Sequence, residues 1–181
     1  VNDAPRCDTT TLTTNEDTAG SLDLTCSDPE GDRIMHALHL QSTHGYGSLK
    51  VTGNGVELIY APDKDWNGSD EIALRVGDGS ATSITTITLI TQPVNDAPVC
   101  LSLSMTVDED SSASRELSCT DVDGDTLRSS VDIAPASGAI SLKGSTLEYV
   151  PDPNYFGEDA AQLVVGDGTV DVAPVSYTHL R

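Results

Sequence analysis

Along most of this chain apolar and polar residues alternate in short runs rich in Thr, Val, Ile and Leu, and Gly, Asp, Asn and Pro fall between the runs. A period of two marks a half-buried strand, and the interrupting residues are those that favour turns. In the first half the pattern predicts strands at about Asp8–Thr13, Ser21–Cys26, Ile34–Gln41, Gly47–Thr52, Val56–Tyr60, Glu71–Val76 and Ser83–Thr91. "GNG" at Gly53–Gly55 and "GDG" at Gly77–Gly79 read as turns between strands. No stretch carries a helical apolar period. Seven short strands within roughly 90 residues point to an all-β, antiparallel Greek-key sandwich, with a small barrel as the alternative.

The pattern then repeats. "VNDAP" stands at Val1–Pro5 and again at Val94–Pro98. Laying the second copy on the first brings Cys7 onto Cys100, Glu16–Asp17 onto Glu109–Asp110, Cys26 onto Cys119, and "DPEGD" (Asp28–Asp32) onto "DVDGD" (Asp121–Asp125). After a short deletion, "YAPDKDWNGSD" (Tyr60–Asp70) meets "YVPDPNYFGED" (Tyr149–Asp159), and "LRVGDG" (Leu74–Gly79) meets "LVVGDG" (Leu163–Gly168). This is a tandem duplication. It predicts two seven-stranded sandwiches, residues 1–93 and 94–174. The second copy reaches "GDGTV" and then ends in "PVSYTHLR" in place of a strand like "SITTITLIT". Val175–Arg181 resembles the in-frame translation of a sequencing adapter. The expectation is that the second sandwich stops before its last strand and that residues 175–181 are a non-native tail.

Composition narrows the function. Among 181 residues, 29 Asp and Glu stand against 9 Lys and Arg, a formal charge of −20. Such a chain repels a phosphate backbone, which argues against nucleic-acid binding, and attracts cations. Disorder is the other reading of high acidity, but 37% of the residues are hydrophobic and lie in ordered alternation. No apolar run is long enough for a membrane helix, and no basic start followed by an apolar stretch marks a signal peptide. Because the chain begins inside a repeated motif, it is expected to be a piece of a longer protein. Its four cysteines permit three pairings. Cys7 and Cys26 have the same spacing as Cys100 and Cys119, which favours one disulfide in each half and an oxidising compartment. A zinc site is the rival, without a C-x-x-C pair or histidines at ligand spacing.

The acids are clustered. In "DVDGD" the alternate carboxylates of Asp121, Asp123 and Asp125 can turn toward one centre, with Gly124 permitting the bend. Converging hard oxygen donors suit Ca²⁺, although the full EF-hand pattern is absent and an acidic surface turn is the plainer alternative. Strand direction gathers more of them. If the first strand runs down from VNDAP and the second runs up, Cys7, Cys26, Asn2, Asp3, Asp28, Glu30 and Asp32 fall at the top. Glu16 and Asp17 in the first turn, Asp65 and Asp70 in the "PDKDWNGSD" loop, and the exit into the next VNDAP then fall at the bottom. A second unit stacked below would bring Glu16, Asp17, Asp65, Asp70, Asn95, Asp96, Asp121, Asp123 and Asp125 to one junction. Carboxylates so close repel one another unless a cation neutralises them. The set at Asn2, Asp3, Asp28, Glu30 and Asp32 is expected to be incomplete, with Glu30 where the second copy has Asp123.

The glutamate turn, the acidic loop, the N-D-x-P-like linker and the D-x-D loop resemble the calcium-binding elements of cadherin repeats. The phrasing "VNDAP…ED…D-x-D-G-D…Y-x-P…G-x-D…V-x-DG" is still more similar to bacterial cadherin-like tandem repeats, over about Val1–Ala173. That resemblance implies Ig-like sandwiches in large secreted or surface-attached adhesins, calcium stiffening the string of domains, and neighbouring repeats as partners, with a cell-surface protein or glycan beyond them. Catalysis is the weaker reading: His36, His39 and His44 come without a nucleophile motif, and the acids recur in both copies. Trp66 and Tyr155 hold matching loop positions, where an aromatic stacks on a sugar or caps a core. "NGS" at Asn67–Ser69 fits the N-glycosylation pattern.

Overall fold

A computed structural model describes residues 1–52 and 55–179, apart from the side chains of Thr52 and of residues 173–179. The expected Gly53–Asn54 turn and the end of the tail, Leu180 and Arg181, lie outside the described residues. The chain forms two compact units, Val1–Val94 and one from Asn95 onward. Among the described residues every regular element is a strand, and no helix is long and apolar enough to cross a membrane.

In the first unit the strands are β1 (Arg6–Cys7), β2 (Thr11–Asn15), β3 (Gly20–Leu24), β4 (Cys26–Ser27), β5 (Met35–Leu40), β6 (Gly45–Thr52), β7 (Gly55–Pro62), β8 (Gly68–Gly77) and β9 (Thr82–Gln92). A four-stranded sheet, β2-β9-β8-β5, packs on a three-stranded one, β3-β7-β6. The alternation supplies the packing. Leu12, Ile72, Leu74, Val76, Ile87 and Leu89 from the first sheet and Leu24, Val56, Leu58 and Tyr60 from the second form one buried cluster. Intervening residues such as Thr11, Thr13, Thr82 and Thr86 face water.

The second unit repeats the plan with β10 (Val99–Cys100), β11 (Leu103–Met105), β12 (Ala113–Glu116), β13 (Cys119–Thr120), β14 (Arg128–Ile133), β15 (Gly138–Lys143), β16 (Thr146–Pro151), β17 (Asp159–Gly166) and β18 (Asp171–His179). Its sheets are β11-β18-β17-β14 and β12-β16-β15, closed over Met105, Leu147, Tyr149, Leu163 and Val165. Here an expectation is corrected. The closing strand predicted to be missing is present, because Asp171–His179 pairs with β17 along its length and with β11 at its end. A ladder needs backbone donors and acceptors, and "DVAPVSYTH" supplies them in the place that β9 fills in the first unit, with Pro174, which has no N–H, falling where the register shifts between the Val165–Val172 and Leu163–Val175 pairs.

The first predicted strand, Asp8–Thr13, is also corrected: β2 begins at Thr11 and runs parallel to β9, and a separate β1 precedes it, antiparallel to β4 with Cys7 opposite Cys26. The second predicted strand, Ser21–Cys26, divides, β3 pairing with β7 and β4 with β1. The sandwich is therefore mixed rather than wholly antiparallel, and β11 with β18 repeats the parallel pair. All four cysteines are bridged, Cys7 to Cys26 and Cys100 to Cys119, which closes the zinc reading.

One core position carries a pH signature. His36 on β5 sits opposite Val76 of β8, and both its ring nitrogens are buried without a hydrogen-bond partner. Burial pushes its pKa below the ordinary histidine value. The folded first unit thus resists a proton that the unfolded chain accepts. The stability that His36 contributes is complete above about pH 6.5 and is lost as pH falls from there toward the lowered folded value. The urea midpoint of the first unit should drop between pH 7.5 and 5.5, and His36→Leu should flatten that slope; a slope unchanged by the substitution would assign it to other groups.

Candidate functional site

At the VNDAP end of the second unit three segments meet: the linker residues Asn95 and Asp96, the Asp121–Asp125 loop after β13, and the Asp167 turn between β17 and β18. Gly124 adopts φ 79°, a left-handed bend that a side chain disfavours, and the Asp125 N–H donates to Asp121 Oδ1 at 3.2 Å. The loop so closed brings one oxygen each of Asp121, Asp123 and Asp125 within 4.8 Å of one another. The linker is tied to it, the Asp96 N–H donating to Asp123 Oδ2 at 2.8 Å. Asn95 Nδ2 donates to Asp96 O at 3.1 Å and to Asp167 Oδ2 at 2.9 Å. Asp121 Oδ2 is buried and accepts no hydrogen bond.

The first unit builds the same arrangement from Asn2, Asp3, Asp28, Glu30, Asp32 and Asp78. The N–H groups of Glu30 and Asp32 both donate to Asp28 Oδ1 at 3.0 Å, and Gly31 bends at φ 78°. Glu30 takes the part of Asp123, accepting the Asp3 N–H at 3.2 Å, and Asn2 Nδ2 donates to Asp78 Oδ2 at 3.0 Å. Asp28 Oδ2, like its counterpart Asp121 Oδ2, is buried and unpartnered. Of the two loop trios, that of Asp121, Asp123 and Asp125 converges within 4.8 Å, whereas in the first unit Glu30 accepts from the linker Asp3 N–H.

Asp78 and Asp167 are the residues that sequence reasoning missed. Their "GDG" context reads as a turn, and a turn it is: Asp78 Oδ1 accepts the N–H groups of Ser80 and Ala81, and Asp167 Oδ1 those of Thr169 and Val170. The amides of Ala81 and Val170, with Asn2 and Asn95 beside them, hold these two carboxyls below the usual aspartate range. The available signal was the pairing of a repeated Asn with a repeated Asp, which only the register of β8 on β9 and of β17 on β18 reveals.

At the other end of the first unit, Glu16 is buried, 3% exposed, and its Oε1 accepts the Val94 N–H while its own N–H donates to Gln92 O at 2.9 Å. Asp17 and Asp65 both take positive φ, 56° and 54°, which aspartate tolerates, and the Asp65 N–H donates to Asp17 Oδ1 at 3.0 Å. Lys64 Nζ pairs with the Asp65 carboxylate at 2.6 and 2.8 Å. Asp110 and Asn154 repeat the contact in the second unit, the Asn154 N–H donating to Asp110 Oδ1 at 3.0 Å. Asp70 departs from the expected set. Its carboxylate is spent on the loop before β6, accepting the N–H groups of Thr43 and His44 at 2.8 Å and that of Glu71 at 2.7 Å. Burial alone would raise its pKa, but those donors outweigh burial and lower it. Asp70 is a loop anchor, and Asp159 is its counterpart. Of the matching aromatics, Trp66 has one face covered by His44, with centroids 4.6 Å apart and planes 5° from parallel, and the Tyr155 hydroxyl donates to Glu158 O at 2.7 Å.

All donors of the two VNDAP-end clusters are oxygens, the set that hard divalent cations prefer. A buried carboxylate oxygen without a hydrogen bond is costly, and a bound cation would supply its missing partner, so the residues present fit calcium.

Among solved structures, the first two domains of human protocadherin-24 share 16% identity, a TM-score of 0.66, and 99% coverage of this chain and 98% of theirs. The human desmocollin-1 ectodomain matches at 12% identity and a TM-score of 0.56, covering 98% of this chain and 40% of its own. An endo-fucoidan hydrolase of glycoside hydrolase family 107 aligns at 20% identity and a TM-score of 0.45 over 97% of this chain, which spans only 28% of that enzyme. At such identities the likeness is one of fold. No curated protein matches. The family model of the bacterial Ig domain matches twice, over residues 2–90 and 95–178. With both units matched almost end to end, this chain belongs to the bacterial Ig domain family as two cadherin-like tandem copies.

Proposed function

We propose that this chain is a calcium-binding structural and adhesion module of a larger extracellular protein, stiffened by Ca²⁺ where one repeat passes into the next. The observation that carries the reading is the unpartnered, buried oxygen recurring at Asp28 and Asp121. A surface turn that merely tolerated its acids would leave those oxygens to water. Glu16, Asp17 and Asp65 of the first repeat, with Asn95, Asp96, Asp121, Asp123 and Asp125 of the second, would hold the ion. Connectivity supports that grouping: Glu16 accepts from the N–H of Val94 and Asp123 from that of Asp96, and nitrogens two residues apart lie within about 7 Å however the chain turns. The role is structural rather than catalytic, since the acidic turns at the VNDAP end recur in both repeats in place of one unique site. The paired disulfides suit an oxidising, extracellular setting.

The test is a melting experiment. A ligand that binds only the folded form at a hundred times its Kd adds about 2.7 kcal/mol, or roughly 10 °C in Tm for a unit of this size. Millimolar Ca²⁺ should therefore raise Tm, and Asp123→Asn with Asp125→Asn should cancel the rise while both sandwiches stay folded. A Tm indifferent to millimolar Ca²⁺ would overturn the reading.

A further inference from the structure

Resting on the calcium reading above, we infer that each disulfide is a positioning element of its own repeat's VNDAP-end cation site, and not only a staple of the sandwich. The bridge lies in neither main sheet. It crosses a separate two-residue ladder, β1 on β4 in the first unit and β10 on β13 in the second. One further backbone bond continues each ladder, Asp8 N–H to Thr25 O at 3.1 Å and Leu101 N–H to Ser118 O at 2.9 Å. An isolated pairing this short is marginal in water.

Both arms of the cation site hang from that ladder. In the second unit Cys100 follows the linker arm that carries Asn95 and Asp96, and Cys119 stands two residues before Asp121, where the loop arm begins. In the first unit Cys7 follows Asn2 and Asp3, and Cys26 stands two residues before Asp28. Both arms are anionic. Without a cation they repel, and an amide donated to a carboxylate joins them in each unit, Asp96 to Asp123 and Asp3 to Glu30. The bridge holds the arms in place before the ion arrives, which spares the ion the cost of gathering them. The same cysteine geometry in both repeats follows from this role, because each repeat has its own arms to hold.

The experiment is calcium titration by calorimetry on the whole chain, wild type against Cys100→Ser/Cys119→Ser. A Met105→Ala control removes a buried side chain from β11, outside the ladder, and destabilises the same unit without touching either arm. The expected result is a Kd weakened by about tenfold or more at the second repeat's site in the cysteine variant, with Met105→Ala binding as wild type does. Equal weakening in the two variants, or none in the cysteine variant, would overturn the inference and leave the calcium reading standing. Absence of binding to wild type would remove both. Cys7→Ser/Cys26→Ser repeats the test in the first unit, and a chain unfolded by both cysteine variants would also overturn the inference, since the bridge would then hold the fold itself.

Discussion

Asp121→Asn should weaken calcium binding to the second repeat by roughly a hundredfold while leaving its calcium-free stability unchanged or higher. The two effects have one cause. Asparagine keeps an oxygen for the Asp125 N–H that Asp121 now accepts, so the loop stays closed. It removes a negative charge whose outer oxygen is buried without a partner beside two other carboxylates. In the ion-free state that charge carries a desolvation and repulsion cost that asparagine avoids while keeping the hydrogen bond. With Ca²⁺ bound as proposed it would be a direct ligand, and a unit charge beside a divalent ion is worth several kcal/mol at the effective dielectric of a protein surface. Calorimetry against Ca²⁺ and urea melts in a chelator separate the two signs. A variant that lost stability in chelator and kept its affinity would make Asp121 an ordinary turn residue.

Asp159→Ala should have the opposite profile, a loss of about 4 kcal/mol in the second unit that calcium does not restore. Its carboxylate is 6% exposed and accepts from the N–H groups of Ala136, Ser137 and Ala160 at 2.8–2.9 Å and from the buried Tyr149 hydroxyl at 3.0 Å. Hydrogen bonds to a charged acceptor are each worth about 1.5–3 kcal/mol, and removing the acceptor strands donors that water reaches poorly. Burial alone would raise the Asp159 pKa, but the Ala136, Ser137 and Tyr149 donors outweigh it and hold the carboxyl below its ordinary value. Its contribution is therefore present at neutral pH and lost as the solution is acidified below about pH 4, toward the lowered folded value. Urea melts of the variant at pH 7 with and without Ca²⁺, and of wild type from pH 6 to 3, check both statements. Restoration by calcium would make Asp159 a candidate ligand and return its counterpart Asp70 to that set.

Asp70 shows where sequence reading reached its limit. Strand positions followed from alternation, because a side chain's face is fixed by its parity along the strand. Repeat length, cysteine pairing and the D-x-D loops followed from comparing the chain with itself. What alternation does not encode is the partner of a polar side chain. Asp65 and Asp70 lie in one acidic loop, yet the Asp65 carboxylate pairs with Lys64 while that of Asp70 accepts the Thr43 and His44 amides. Asp78 and Asp167 failed the opposite way: a "GDG" turn satisfies local rules completely, and the second oxygen that reaches Asn2 or Asn95 belongs to a contact across most of the unit. The closing strand was misjudged because its residues look foreign, while the ladder asks only for backbone groups and alternation.

The parallel pairing of β2 with β9 bears on how a unit would carry load. Because the two strands run the same way, tension entering before β2 and leaving after β9 drags them in opposite directions along their length. The load falls in shear on the whole register from Thr11–Thr88 to Asn15–Gln92, and not on one pair at a time as in an unzipping hairpin. Resistance to force is set by the unfolding barrier and not by equilibrium stability, so a string of such units is suited to being pulled. Among the described residues the second unit repeats this parallel register from Leu103–Tyr177 to Met105–His179, so tension along the chain is taken there in shear as well.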